Sequence, residues 1–454
     1  MNAEHYRARA SVLIAGLRER FLELEARDFP APTPGEVIEH LCRILTLVES
    51  KLSGGDERTC RLVIKLVFEY QKLLSIFDNA HSEQTPRGLV RVLEDLLIFR
   101  RIHDGPCKLI AAPQTTYNYT IVDLTVQIYR SVTHLFTKED LAAIQLKEPI
   151  FLIAFPRIER DSTLLHPVFG HEVGHLIAFR FLEEASRKKE FGNEFNRAFE
   201  PIAKAIRQQH KNDQVALVTE LQRQGEMLRT YWQRGLEELI SDYVGLLLFG
   251  PSALFASFTI FSQQELDRPP QGPFYYPPSR YRLRFSLEVL QDDGYMSAMT
   301  ELVKAPGEIN AFPAVTEWLE HMRSLTKERT DVTALEKDPT RSAAYEWIRS
   351  SLSEAKKYAR ERIKAILYTS ELMKREVPEL VERISLDLPP NEIGTFATLK
   401  PASWGSAFNA SWFYIINGKT REGEPLGLKD QQKVNQLALR AVEGILLKER
   451  YQAE

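Results

Sequence analysis

His171 and His175 stand four residues apart in His171-Glu172-Val173-Gly174-His175, and this HExxH spacing constrains the chain more than any other feature. On a helix, positions i and i+4 project from one face about 6 Å apart. That is the separation at which two imidazoles reach a single Zn²⁺ at about 2.0–2.1 Å. Glu172, one residue after the first histidine, then lies beside the metal's open position, where its carboxylate can take a proton from water. His166-Pro167 reads as the helix start, and Leu165, Val168, Phe169, Val173, Leu176, Ile177 and Phe179 predict a buried helix. The alternative is a buried helix whose two histidines only hydrogen-bond.

Two histidines and a water leave one place in a four-coordinate site. Downstream stands Gly235-Leu236-Glu237-Glu238-Leu239-Ile240-Ser241-Asp242-Tyr243-Val244-Gly245, in which Glu238 and Asp242 are again i and i+4 on a helix. Glu238 can supply the third ligand, while Asp242 can accept the free ring N–H of a metal-bound histidine and fix its tautomer. Glu237 is the competing ligand. HExxH followed by ExxSD and a glycine resembles the gluzincin metallopeptidases, the thermolysin-like group. The resemblance implies that His171, His175 and Glu238 are zinc ligands, Glu172 the general base and Asp242 the partner of His171. It covers about 90 of 454 residues. Ligand helices in compact gluzincins lie closer in sequence than His175 and Glu238 do, so a helical insertion at 182–230 is expected, folded as an exposed hairpin with no function assigned.

The resemblance also places an edge strand ahead of the active-site helix, where it would pair with an extended substrate backbone; Pro149–Pro156 is the segment in that position, and a strand simply buried under helices is the alternative. Attack on a carbonyl needs a donor for the developing oxyanion. Tyr275, Tyr276 and Tyr281 cluster with Arg280, Arg282 and Arg284 after a Pro-rich break. The run Tyr276-Pro277-Pro278-Ser279-Arg280-Tyr281-Arg282-Leu283 resembles the HPxxxxRL stretch of CAAX-processing and related intracellular metallopeptidases, with tyrosine in place of histidine. Tyr276 is therefore one candidate donor and His166 the other. Arg157 and Arg160 read as a solvated charge run, and Trp404 and Trp412 as core.

Helical periodicity predicts four helices before Arg101, the third around Arg61–Phe77. The β-branched and aromatic stretch from His103 to Val132, with Glu148–Pro156, predicts a small sheet. From Leu164 onward helices dominate, ending in one near Lys429–Arg450. The long uncharged stretch Tyr243–Gln264 could span a bilayer of about 30 Å, but Gly250-Pro251 breaks it, so two buried helices are expected. The amino terminus lacks the apolar run of a secretory signal.

The expected fold is mainly α with a small β-sheet (α+β), a zincin-like catalytic domain embedded in helical regions. The expected domains are 1–105 (helical), 106–305 (zincin-like, with the insertion) and 306–454 (helical). Fifty-nine basic and 62 acidic side chains leave a net charge of -3, which gives no basic field for nucleic acid or an anionic membrane. Three scattered cysteines cannot build a disulfide framework and suit a reducing compartment, the cytoplasm. The implied activity is zinc-dependent hydrolysis of a protein or peptide substrate, with no nucleic-acid or membrane partner. A catalytically silent regulatory protein of the same fold, or a zinc amide hydrolase of a small molecule, are the alternatives. Substrate identity, regulator and oligomeric state are not legible in the sequence.

Overall fold

The computed structural model describes residues 3–99, 102–103, 105–130, 132–262, 266, 276–304, 310–327, 338–395 and 398–453. The chain is mainly α-helical with a small sheet, as its periodicity predicts. It forms two units, Met1–Asp161 and Ser162–Glu454.

In the first unit three long helices come first: α1 (Ala3–Glu25), α2 (Thr33–Leu52) and α3 (Glu57–Asn79). Each boundary has a local cause. Pro34 sits in the first turn of α2, and the Asp56 carboxylate accepts the Thr59 N–H (2.8 Å) to cap α3. Ile14, Phe21, Ile38, Leu41, Val63, Leu66, Tyr70 and Phe77 make the core between them. A shorter α4 (Arg87–Glu94) is the fourth expected helix.

The sheet of this unit consists of β1 (Lys108–Gln114), β2 (Thr120–Asp123) and β3 (Ile150–Pro156), in the order β1-β3-β2. β3 pairs parallel with β1 and antiparallel with β2. The expectation that Pro149–Pro156 forms an edge strand able to pair with a substrate is therefore corrected: both of its hydrogen-bonding edges are taken. A second correction concerns Leu124–Arg130, read as part of the sheet. It is helix α5, with Leu124 and Ile128 buried one turn apart; burial of an i, i+4 pair overrides the β-propensity of Val126 and Ile128. Helix α6 (Lys138–Ile144) follows, closed by a capping box of Thr137 and Asp140.

Ile110, Ala112, Ile150 and Leu152 belong to the same buried cluster as Ile38, Leu41 and Val63. The sheet is thus part of the amino-terminal unit, and the boundary falls at Asp161, not near residue 105.

The second unit opens with α7 (Val168–Arg187), α8 (Lys189–Gln209), α9 (Gln214–Phe249) and α10 (Pro251–Phe261). The segment 182–230 contains a helical hairpin, as expected, but its second arm runs without a break into the helix carrying Glu238. Gly250, at φ +60°, stops α9 and Pro251 starts α10. No helix among the described residues is long and apolar enough to cross a membrane. Then come α11 (Ser279–Asp292), α12 (Tyr295–Val303), α13 (Phe312–Leu325), α14 (Pro339–Arg362), α15 (Ser370–Ser385), the short strands β4 (Glu392–Ile393) and β5 (Lys400–Pro401), α16 (Trp404–Asn417) and α17 (Leu428–Ala453).

Residues 306–454 do not separate as a domain. Buried Asn409 on α16 donates to the Phe249 carbonyl (2.8 Å) and accepts from the Ser252 N–H (2.9 Å), spending its amide on the α9–α10 junction. Trp404 is buried, as expected of a core residue, whereas Trp412 is only half-buried. The Trp412 indole N–H donates to the Leu164 carbonyl (2.8 Å) and its ring lies against Phe255.

Candidate metal centre

The centre is built where α7 crosses α9, and small residues set how close the crossing is. A Cβ on Gly174 would lie 2.7 Å from the Ser241 Cα, and one on Gly170 would lie 3.0 Å from the Gly245 Cα. Backbone thus meets backbone at two successive turns of α7, and this brings short and medium side chains of the two helices within reach. Phe179, expected inside, is 49 % exposed; the helix is buried on its histidine face and open towards its carboxy-terminal half.

The histidine rings lie 4.8 Å apart, nearly perpendicular. His171 Nδ1–H faces Asp242 Oδ1 at 2.8 Å, and His175 Nδ1–H faces Glu237 Oε1 at 3.1 Å. In the neutral rings, a carboxylate on each Nδ1 leaves each Nε2 as the lone-pair nitrogen. Both Nε2 atoms point towards Glu238: His171 Nε2 is 3.6 Å from Oε2 and His175 Nε2 is 4.0 Å from Oε1. Ligand atoms around a tetrahedral ion at 2.0–2.1 Å are about 3.4 Å apart, so these separations come close to a coordination shell. Among the described residues, His171, Glu172 and His175 also form a group whose ligand atoms lie within 4.8 Å of one another, able to hold a metal ion.

Four carboxylates, of Glu172, Glu237, Glu238 and Asp242, are buried here. Two guanidinium groups face them. Arg234 Nη1 donates to Glu237 Oε2 (3.0 Å). Arg282 on α11 clamps Asp242 with Nε to Oδ2 (2.8 Å) and Nη2 to Oδ1 (2.6 Å), and its Nη1 lies 2.7 Å from Glu238 Oε2. With the carboxylates ionised and both imidazoles neutral, two negative charges are left over, an excess that a divalent cation matches and that burial would otherwise penalise.

The electrostatics follow from these contacts. Burial raises the pKa of the Glu172 carboxyl, opposed by the two imidazoles, a shift towards the range of a working acid–base group. Burial would likewise raise Asp242, but the Arg282 charge and hydrogen bonds outweigh it and keep the carboxyl well below its usual range. For His175 burial favours the neutral ring, yet Glu237, Glu238 and Glu172 prevail and move its pKa up to about 9. A cation entering the site must therefore displace a proton from His175.

Glu237, weighed as a rival ligand, occupies the outer nitrogen of His175 and not the convergence point. Tyr276 lies just before α11. The Pro277 ring lies 3.9 Å from the position a Cβ on Gly235 would take, so the chain folds back on α9 one turn before Glu238. Burial, then the Glu238 charge, raise the Tyr276 pKa and keep its hydroxyl protonated. Tyr275 lies outside the described residues. Tyr281 packs edge-on against Tyr345, under the Arg284 guanidinium. His166 is buried against Phe169, its Nε2 without a hydrogen-bond partner, and burial lowers its pKa to about 3. Arg157 and Arg160 belong to the first unit and bond to Asn79 and to the Glu83 carbonyl.

The residue that sequence reasoning missed is Arg282. The one signal for it was its place in the HPxxxxRL-like run, six residues after Tyr276; its contacts with two carboxylates on another helix have no local pattern.

Comparison with known proteins finds no matching family model, curated protein or solved structure.

Asp242→Ala is expected to weaken metal binding about 10–100-fold, the usual loss when a ligand's hydrogen-bond partner goes. Glu238→Ala is expected to lose more than Glu237→Ala in a competition titration against a chelating dye. The reverse order would move the ligand role to Glu237.

Proposed function

We propose that this protein is a zinc-dependent metallopeptidase of the gluzincin type. The observation that carries the reading is the convergence of two Nε2 atoms on Glu238, with each Nδ1 held by a carboxylate and Glu172 beside the imidazoles. A scaffold that merely buried two histidines would have no use for that set.

His171, His175 and Glu238 would hold the ion. Zinc in such a shell supplies Lewis acidity, polarising a carbonyl and lowering the pKa of water towards about 7. Glu172, on the same helix face, takes the proton of the attacking water on its carboxylate and passes it to the leaving amine nitrogen. Its raised pKa suits both halves of that transfer. Asp242 and Glu237 hold the rings in the tautomer that presents Nε2, and Arg282 keeps Asp242 ionised and in place. The Tyr276 hydroxyl donates to the carbonyl oxygen as negative charge builds on it. β3 offers no free edge for substrate pairing, since it is enclosed between β1 and β2.

Metal analysis of the dialysed protein is expected to show near-stoichiometric zinc, and incubation with a peptide library to yield new amino termini. His175→Ala is expected to lose both. A wild-type protein of full helicity that retains no metal from zinc-containing buffer would overturn the reading. Tyr276→Phe is expected to lower kcat about 10²–10³-fold with zinc content and KM little changed. An unaltered kcat would remove the phenol from the chemistry.

A further inference from the structure

A second concave feature lies on the hairpin, away from the metal centre. It is a groove of about 780 Å³ between α8, the first half of α9 and the start of α14. Ala198, Ile202, Ala205 and Ile206 of α8 and Ala343 and Trp347 of α14 line its floor. The α8 positions recur at three- and four-residue steps, so the apolar stripe follows one helix face. From Glu194 to Gln209 that face runs for about 22 Å at 1.5 Å per residue. Trp347 is fixed in place: its ring stacks on Trp232 at 4.5 Å and its indole N–H donates to Glu194 (3.1 Å).

The rim carries Glu194, Glu220, Asp338 and Glu346 against Arg197 and against Arg223, which pairs with Glu220 (2.6 Å), so it remains net negative. Glu346 is exposed on α14. Gln224 of the groove and Glu238 of the metal centre are on the same helix α9, 14 residues or about 21 Å apart, so the groove is a separate site.

We propose that this groove docks a basic amphipathic helix of a partner protein. A helix of about 14 residues matches the length of the stripe, its apolar face covers Ala198–Ile206 and Trp347, and its lysines or arginines meet Glu194, Asp338 and Glu346, the helix-in-groove mode of recognition. The acidic rim sets the sign of the partner's charge and the apolar floor sets its periodicity.

The test is fluorescence anisotropy with a labelled peptide of about 14 Lys and Leu residues, leucines at helical spacing. Its controls are a scrambled peptide of the same composition and a Glu/Leu counterpart. The full-length protein is expected to bind the patterned basic probe, with affinity falling as salt is raised, and to bind the controls at least about tenfold more weakly. Glu346→Lys and Ala205→Trp, both at exposed positions, are expected to reduce binding about tenfold or more while circular dichroism is unchanged. If one variant misfolds, the other decides. Equal binding of the scrambled probe, or variants that bind as wild type does, would overturn the proposal. So would a dimer that Ala205→Trp converts to monomer, which would assign the groove to a second copy of the chain. Binding is read without turnover, so neither result depends on the metal centre's chemistry.

Discussion

Glu172→Gln is expected to keep the fold and the metal and to lose about 10²–10⁴-fold in turnover. The amide preserves the shape of a buried side chain but cannot accept a proton at any accessible pH, and the range is that of a positioned acid–base group. The carboxylate lies within 4.8 Å of the imidazole donors, close enough to be mistaken for a ligand. The variant separates the two roles. A base is missed only in kcat, whereas a ligand is missed first in metal content. Zinc measured on the purified variant, beside cleavage of a peptide substrate, makes the distinction, and a zinc-free Glu172→Gln would make Glu172 a ligand instead.

Gly174→Val is expected to have the largest effect on the structure of the site. The new Cβ would stand 2.7 Å from the Ser241 Cα and 2.9 Å from its carbonyl oxygen, with Val244 Cβ at 3.1 Å. The two Ser241 atoms are backbone in the middle of a helix and have no rotamer by which to retreat, so α7 and α9 must separate. Overpacking of this kind costs about 1–3 kcal/mol. The same separation carries Nε2 of both histidines away from Glu238, so metal affinity is expected to fall together with the urea midpoint. Gly192→Ala on α8 is the matched control. A Cβ there meets nothing within 4 Å, and removing a glycine from a helix interior is expected to stabilise by about 0.5–1 kcal/mol. A Gly174→Val protein as stable and as metal-competent as wild type would mean that the crossing is not what sets the site.

Much of the site was legible because its components repeat at helical spacing. His171 and His175, and Glu238 and Asp242, are each i, i+4 pairs, and such pairs share a face whatever the helix later packs against. The break at Gly250-Pro251 was legible for a similar reason: φ +60° and a proline in the first turn are properties of single residues. The four amino-terminal helices and the last one followed from periodicity and caps.

Tertiary structure decided what depends on partners remote in sequence. Nothing near Arg282 indicates that it will bond to Asp242, 40 residues away on another helix. Glu237 and Glu238 are neighbours with the same chemistry, and only the rotation of α9 against α7 sends one to Nδ1 of His175 and the other to the meeting point of two Nε2 atoms. Ile150–Pro156 was recognisable as a strand, but its place in the middle of the sheet depends on pairing with strands on either side. Leu124–Arg130 became a helix against its propensity because burying Leu124 and Ile128 together outweighs a preference worth only a few tenths of a kcal/mol per residue. The common cause is range: dihedral preference and periodicity act within a turn or two of chain, whereas register, helix rotation and ion pairing are set by which distant surfaces are buried together.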